Sequence, residues 1–161
     1  MDLSHILFSF EGRINRAKWW LAVLVLAVAA IILTFAAYAV LGVSWQTAAL
    51  TTSGTVASII ITALIAYPAT AAMLKRLNDR DRPSWLVGVF WAPTVLALLG
   101  QLLGLTMTVQ DVAGIPMPAP TALGWLLNIA SLGVGIWALI ELGILRGTEG
   151  PNRHGPDPLT K

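Results

Sequence analysis

Lys75-Arg76-Leu77-Asn78-Asp79-Arg80-Asp81-Arg82-Pro83-Ser84-Trp85 holds four of the chain's ten basic residues in one short stretch near its centre. On its N-terminal side no charged residue occurs from Trp19 to Leu74. On its C-terminal side no basic residue recurs until Arg146. The remaining basic residues lie near the two ends: Arg13, Arg16 and Lys18, then Arg146, Arg153 and Lys161. A cation is costly in hydrocarbon, and basic loops orient toward the cytoplasm. Three basic segments separated by two long apolar stretches predict a chain that crosses a bilayer, returns, and does so twice.

Composition agrees. Of 161 residues, 57% are hydrophobic and 11% charged, against about 25% charged in a soluble domain. A mean hydropathy of +0.76 leaves more apolar surface than a soluble fold of this length can bury, so one membrane domain over 1–161 is expected. The net charge of +2 follows the loops rather than one helical face. Nucleic acid is therefore not an expected partner, and anionic lipid of the cytoplasmic leaflet accounts for the same charges. The chain has no Cys, which removes thiolate chemistry, iron–sulfur clusters and Cys-ligated zinc.

The expected fold is all-α: a polytopic four-helix transmembrane bundle with a short N-terminal interfacial helix and an irregular C-terminal tail. Leu3, Ile6, Leu7 and Phe10 recur at helical spacing, and Gly12 permits a turn after them. Asn15 is placed to cap the first span. The spans are expected at about 18–42, 55–74, 84–107 and 121–145, with a cytoplasmic tail over 146–161. The first run exceeds the 7–15 apolar residues of a secretory signal and reads as an uncleaved helix. Trp19 and Trp20 suit the headgroup level at its inner end. Pro68 and Pro93 are candidate kinks. Asp79 and Asp81 are placed to complement the start of the third span. Gly100 and Gly104, and Ser131 and Gly135, have the spacing that lets helices approach closely. Asp111, Pro116, Pro118 and Pro120 mark a stiff outer loop.

Glu141 is the one carboxylate inside an apolar run. Five residues separate it from Arg146, about 500° of α-helical turn, so its partner belongs to another segment. Lys75, Arg76, Arg13 and Arg16 lie at comparable depth. It either staples helices at the interface or helps build a polar cytoplasmic vestibule.

Phe10-Glu11-Gly12-Arg13-Ile14-Asn15-Arg16 followed by Trp19-Trp20 resembles the opening motif of the bacterial inner-membrane family catalogued as domain of unknown function 805. Lys75-Arg76-Leu77-Asn78-Asp79 resembles its Arg-Leu-His-Asp motif. The tail from Gly147 to Pro158 resembles its closing Gly-x-x-Gly-x-Asn-x-Tyr-Gly-x-x-Pro pattern. Asn78 stands where the family usually has His, and His154 where it has Tyr, which counts against a catalytic His. The resemblance implies a multi-span inner-membrane protein of unassigned activity.

Arg13, Arg16, Arg76, Asn78, Asp79, Arg80, Glu141, Asn152 and Asp157 form the candidate cytoplasmic cluster. Its arginines either pair internally with carboxylates or receive a phosphate or carboxylate from a lipid or partner. The reading is a non-enzymatic module binding anionic lipid or a protein partner, with both termini cytoplasmic. The alternative is a subunit of a small oligomeric transporter or channel, suggested by Pro68, Pro93, Gln101, Asn128 and Glu141. No HExxH, GxSxG or P-loop occurs. No cofactor is expected; a metal held by His154 and Asp157 has little support in a Gly/Pro-rich tail.

Overall fold

The computed structural model describes residues 2–112 and 114–159; Lys161, read above as part of the basic tail, lies outside them. The chain is mostly helical. After α1 (Leu3–Phe8) come α2 (Arg16–Leu41), a 3₁₀ turn (Ala48–Leu50), α3 (Thr52–Asp79) and α4 (Leu86–Leu102). A hairpin of β1 (Met107–Val112) and β2 (Ile115–Pro120) follows, then α5 (Ala122–Ala138), which runs on into a π-helical turn (Leu139–Ile144).

Three helices are long and apolar enough to cross a membrane: Arg16–Leu41, Thr52–Asp79 and Ala122–Ile144. Their apolar side chains are largely not buried in the protein itself. Leu24, Ile32 and Phe35 on α2, and Ile129 and Leu132 on α5, are more than half exposed. A helix apolar on every side is a membrane span. The core sits at one end, where Ile6, Ile14, Trp19, Leu77, Leu86, Phe90 and Leu142 meet.

Capping chemistry sets the ends. Asn15 Oδ1 accepts the Lys18 N–H at 3.0 Å, the cap expected for α2. Thr51 and Thr121 do the same for α3 and α5 through the N–H groups of Gly54 and Gly124. Gly42 ends α2 in the left-handed region, and Gly104 turns the chain after α4 at φ +69°. Gly12 makes the expected turn at φ +86°.

Several expectations need correction. The third span is shorter than 84–107: α4 has 17 residues, because the N–H groups of Gly104 and Leu105 fold back onto the carbonyls of Gln101 and Gly100. Gly104 is therefore a helix stop, and no GxxxG face exists. Gly100 instead abuts the Thr106 methyl, while Gly135 has open space around it. Trp19 is buried in the core rather than held at the headgroup level; Trp20 is half exposed. Helix α1 forms, but Ile6 and Leu7 bury into protein. Asp79 is the last residue of α3 and pairs with arginines instead of heading α4.

The outer loop is an antiparallel hairpin, with Val112 opposite Ile115 and Met107 opposite Pro120. In a hairpin closed by two residues the flanking pair exchanges both backbone hydrogen bonds, and pairs alternate from there. Pro116, Pro118 and Pro120 thus fall where an N–H would point away from β1, so their missing donors cost the ladder nothing. The hairpin lies against the 3₁₀ turn, and Gln101 Nε2 donates to Thr55 Oγ1 at 3.2 Å. The α2–α3 connection and the hairpin therefore share the end opposite the core.

Candidate functional site

The three charged segments converge at the core end. Asp79 is their centre. Its carboxylate receives Arg13 at 3.1 Å and Arg76 from one turn earlier on α3, with all three side chains at most 4% exposed. Two guanidiniums on one carboxylate leave positive charge over, and backbone carbonyls absorb it. Arg13 Nη1 donates to the Gly150 and Gly155 carbonyls at 2.8 and 3.2 Å, and Nη2 to Thr148 O at 2.7 Å and its hydroxyl at 3.1 Å. Arg76 Nε donates to Leu142 O at 2.7 Å, and Nη2 to Leu145 O. Arg76 thus caps the carbonyls that the π-helical turn leaves open.

The tail is held through the backbone as well. The Thr148 N–H and hydroxyl both donate to the Asp79 carbonyl, at 2.8 and 3.0 Å. Asn152 Nδ2 donates to Asn78 O and to Thr148 Oγ1, each at 2.9 Å. Asn78 Nδ2 reaches back to Gly12 O at 3.3 Å. A Cβ on Gly147 would fall on the Asp79 carboxylate, so only glycine lets the tail approach this closely. Asp157 accepts the Gly150 and Leu159 N–H groups at 3.0 and 2.9 Å. These two bonds, Leu159 first, hold its carboxyl below the usual aspartate range.

Glu141 forms a second centre. Its partners come from another segment, as expected, but they are Arg80 at 3.0 Å and Arg82 at 2.8 Å rather than Lys75, Arg76, Arg13 or Arg16. Arg13 and Arg76 are already held at Asp79, and Lys75 Nζ donates to the His5 and Ile6 carbonyls at the end of α1. Arg80 also donates to Glu141 O at 2.7 Å, while its Nε is buried with no partner.

Sequence reasoning missed Lys75 as a cap for α1, Arg82 as a Glu141 partner, and Thr148. Thr148 carried a signal, since a hydroxyl after Gly147 in a glycine-rich tail can bond two backbone groups. Arg82 carried none. At the rim, Asp81 pairs with Arg153 at 2.7 Å, with His154 at 3.9 Å.

Arg16 differs from the other cluster arginines. It is exposed and makes one bond, to Ile144 O at 2.9 Å. Arg146 is exposed and has no protein partner among the described residues. Both line an open cleft of about 640 Å³ between the start of α2, the π-helical turn and the tail.

A family model matches residues 7–156, nearly the whole chain and all three charged segments. The chain belongs to the family described as Protein of unknown function (DUF805). Neither the curated proteins nor the solved structures give a match. In this DUF805 chain the three motif segments meet physically around Asp79, so the motifs describe one joint between helix ends and tail. Asn78 serves that joint as a donor to one backbone carbonyl and through its own carbonyl as an acceptor.

Proposed function

We propose that this DUF805 protein is a four-span module of the bacterial inner membrane that binds lipid headgroups or a partner at its charged, cytoplasmic end and catalyses no reaction. Helix α4 supplies the fourth crossing: 17 residues rise about 26 Å, at the short end of what spans a bilayer. It starts in the core end and finishes beside the hairpin, which supports this count.

The observation that carries the binding reading is a division among the cations. Arg13 and Arg76 are buried and occupied, so they serve the fold. Arg16 and Arg146 are exposed around a cleft at the level of Trp20, where a headgroup phosphate would lie. Reversing Arg13 or Arg76 would therefore disrupt the joint itself, and the informative variant is Arg16→Glu with Arg146→Glu. With the protein extracted in mild detergent, native mass spectrometry should find phospholipid retained by the parent chain and at least about tenfold less by this double variant. Equal retention would remove the cleft from the binding site.

The second reading, an oligomeric transporter or channel subunit, draws support from Asn128. It is exposed on the apolar surface of α5 with no partner among the described residues. An amide in hydrocarbon gains from a partner on another helix. Crosslinking in native membranes, compared with Asn128→Leu, tests for that association.

A further inference from the structure

The cleft between α2, the π-helical turn and the tail carries two signs of charge. Its floor is the buried Arg76–Asp79 pair, already engaged within the protein. Above it stand two cations, Arg16 and Arg146, and two carboxylates, Glu149 and Asp157. The cations and the carboxylates come from different walls. Arg16 opens α2, and Arg146 follows the π-helical turn by two residues, so both sit at the helix ends with Trp20. Glu149 and Asp157 belong to the tail, which folds back so that Thr148 and Gly150 bond Asp79 and Arg13. The lining therefore sets an aromatic ring and two cations on the helix ends and two carboxylates on the tail.

We infer that this cleft receives a phosphoethanolamine headgroup carried by a membrane lipid, the phosphate at Arg16 and Arg146 and the primary ammonium at Glu149. This rests on the reading that the charged end binds lipid, and it names the headgroup. Such a headgroup carries both charges on one short link, a phosphate for the cations and an amine for the carboxylate. Each guanidinium presents several N–H donors to a phosphate. Glu149 makes no hydrogen bond or ion pair among the described residues, so its carboxylate is open to an ammonium's three donors. Asp157 adds negative potential while bonded to Gly150 and Leu159. A headgroup with phosphate alone would leave Glu149 unanswered and facing another anion. A choline headgroup has the charge and lacks the N–H donors.

The test uses the full chain in mild detergent, with native mass spectrometry reading bound lipid. Phosphatidylethanolamine, phosphatidylglycerol and phosphatidylcholine of matched chains are offered at equal mole fraction. One charge-assisted hydrogen bond predicts a preference for the ethanolamine lipid of roughly tenfold. Glu149→Gln should bring it level with phosphatidylglycerol, and Arg146→Gln should lower all three lipids. Because neither side chain has a protein partner, neither variant removes a contact that holds the fold, and an unchanged thermal melt confirms it. Equal or greater retention of phosphatidylglycerol by the parent chain would overturn the headgroup assignment, as would a preference that survives Glu149→Gln. Soluble glycerophosphoethanolamine should fail to displace the lipid; displacement at equal concentration would reassign the site to a soluble ligand. Retention of no lipid at all would overturn the parent reading along with it.

Discussion

Asp79 holds one negative charge between two buried guanidiniums, and the surplus is spread over carbonyls of the tail and of the π-helical turn. Removing one member of such a buried set costs about 3–5 kcal/mol, because the charges left behind stay desolvated. Asp79→Asn should destabilise the protein by that amount in a denaturant titration in mixed micelles, followed by circular dichroism. Arg82→Ala should cost less than about 1 kcal/mol, since Arg82 is half exposed and Arg80 remains on Glu141. Asp157 gives a pH signature. Its carboxyl titrates lower in the folded protein than in the free chain, so its two N–H bonds are fully present above the ordinary aspartate value of about 3.9. They are lost as pH falls through the lower folded value. The protection factors of the Gly150 and Leu159 amides, referred to the intrinsic exchange rate at each pH, should therefore stay high at pH 5 and fall on acidification below about 4, whereas in Asp157→Asn they should not change with pH there.

At the scale of elements, α2, α3 and α4 stop in the same way. Just past each helix, two consecutive residues fold their N–H groups back on the last turn: Gly42 and Val43, Asp81 and Arg82, Gly104 and Leu105. The first residue of each pair is left-handed; for α3 that residue is Asp81, at φ +53°. A side chain there is strained by up to about 1 kcal/mol relative to glycine, and the exposed Asp81–Arg153 pair offsets some of that. In an Arg153→Ala background, Asp81→Gly should raise stability by up to about 1 kcal/mol, while in the parent chain the gain should be smaller. A thermodynamic cycle over the four proteins measures this. The stop at Gly12 and the Asn15 cap were legible because each uses one residue type suited to its backbone position. The hairpin was not: three prolines at alternate positions read as breakers until the strand pairing shows their nitrogens turned outward. The π-helical turn was also invisible, since a sequence reading that assumes 100° per residue aims Glu141 by α-helical geometry. The partners assigned to it were wrong for a related reason, as nothing in the sequence ranks five arginines at similar depth.

Across the whole molecule, tight packing is concentrated at one end, and the helices leaving it present apolar surface almost all round. The charged joint thus ties the helix ends together where side chains must already be paired, leaving lipid to fill the remaining length. The crossing number is decided by α4. If its 17 residues cross, the hairpin lies across the bilayer from the tail; if they do not, hairpin and tail share a side. The 3₁₀ turn between α2 and α3 touches the hairpin, and that contact supports the proposal of four crossings. The chain has no Cys, so single cysteines at Trp45, Gln110 and Arg153 give clean reporters, and all three positions lack buried side chains. In intact bacterial cells whose outer membrane admits the probe, a maleimide that cannot pass the inner membrane should modify positions 45 and 110 and spare 153. After the inner membrane is permeabilised, position 153 should react as well. Labelling at 45 but not at 110 would leave α4 short of the far side, and labelling at 153 in intact cells would invert the charged end to the periplasm.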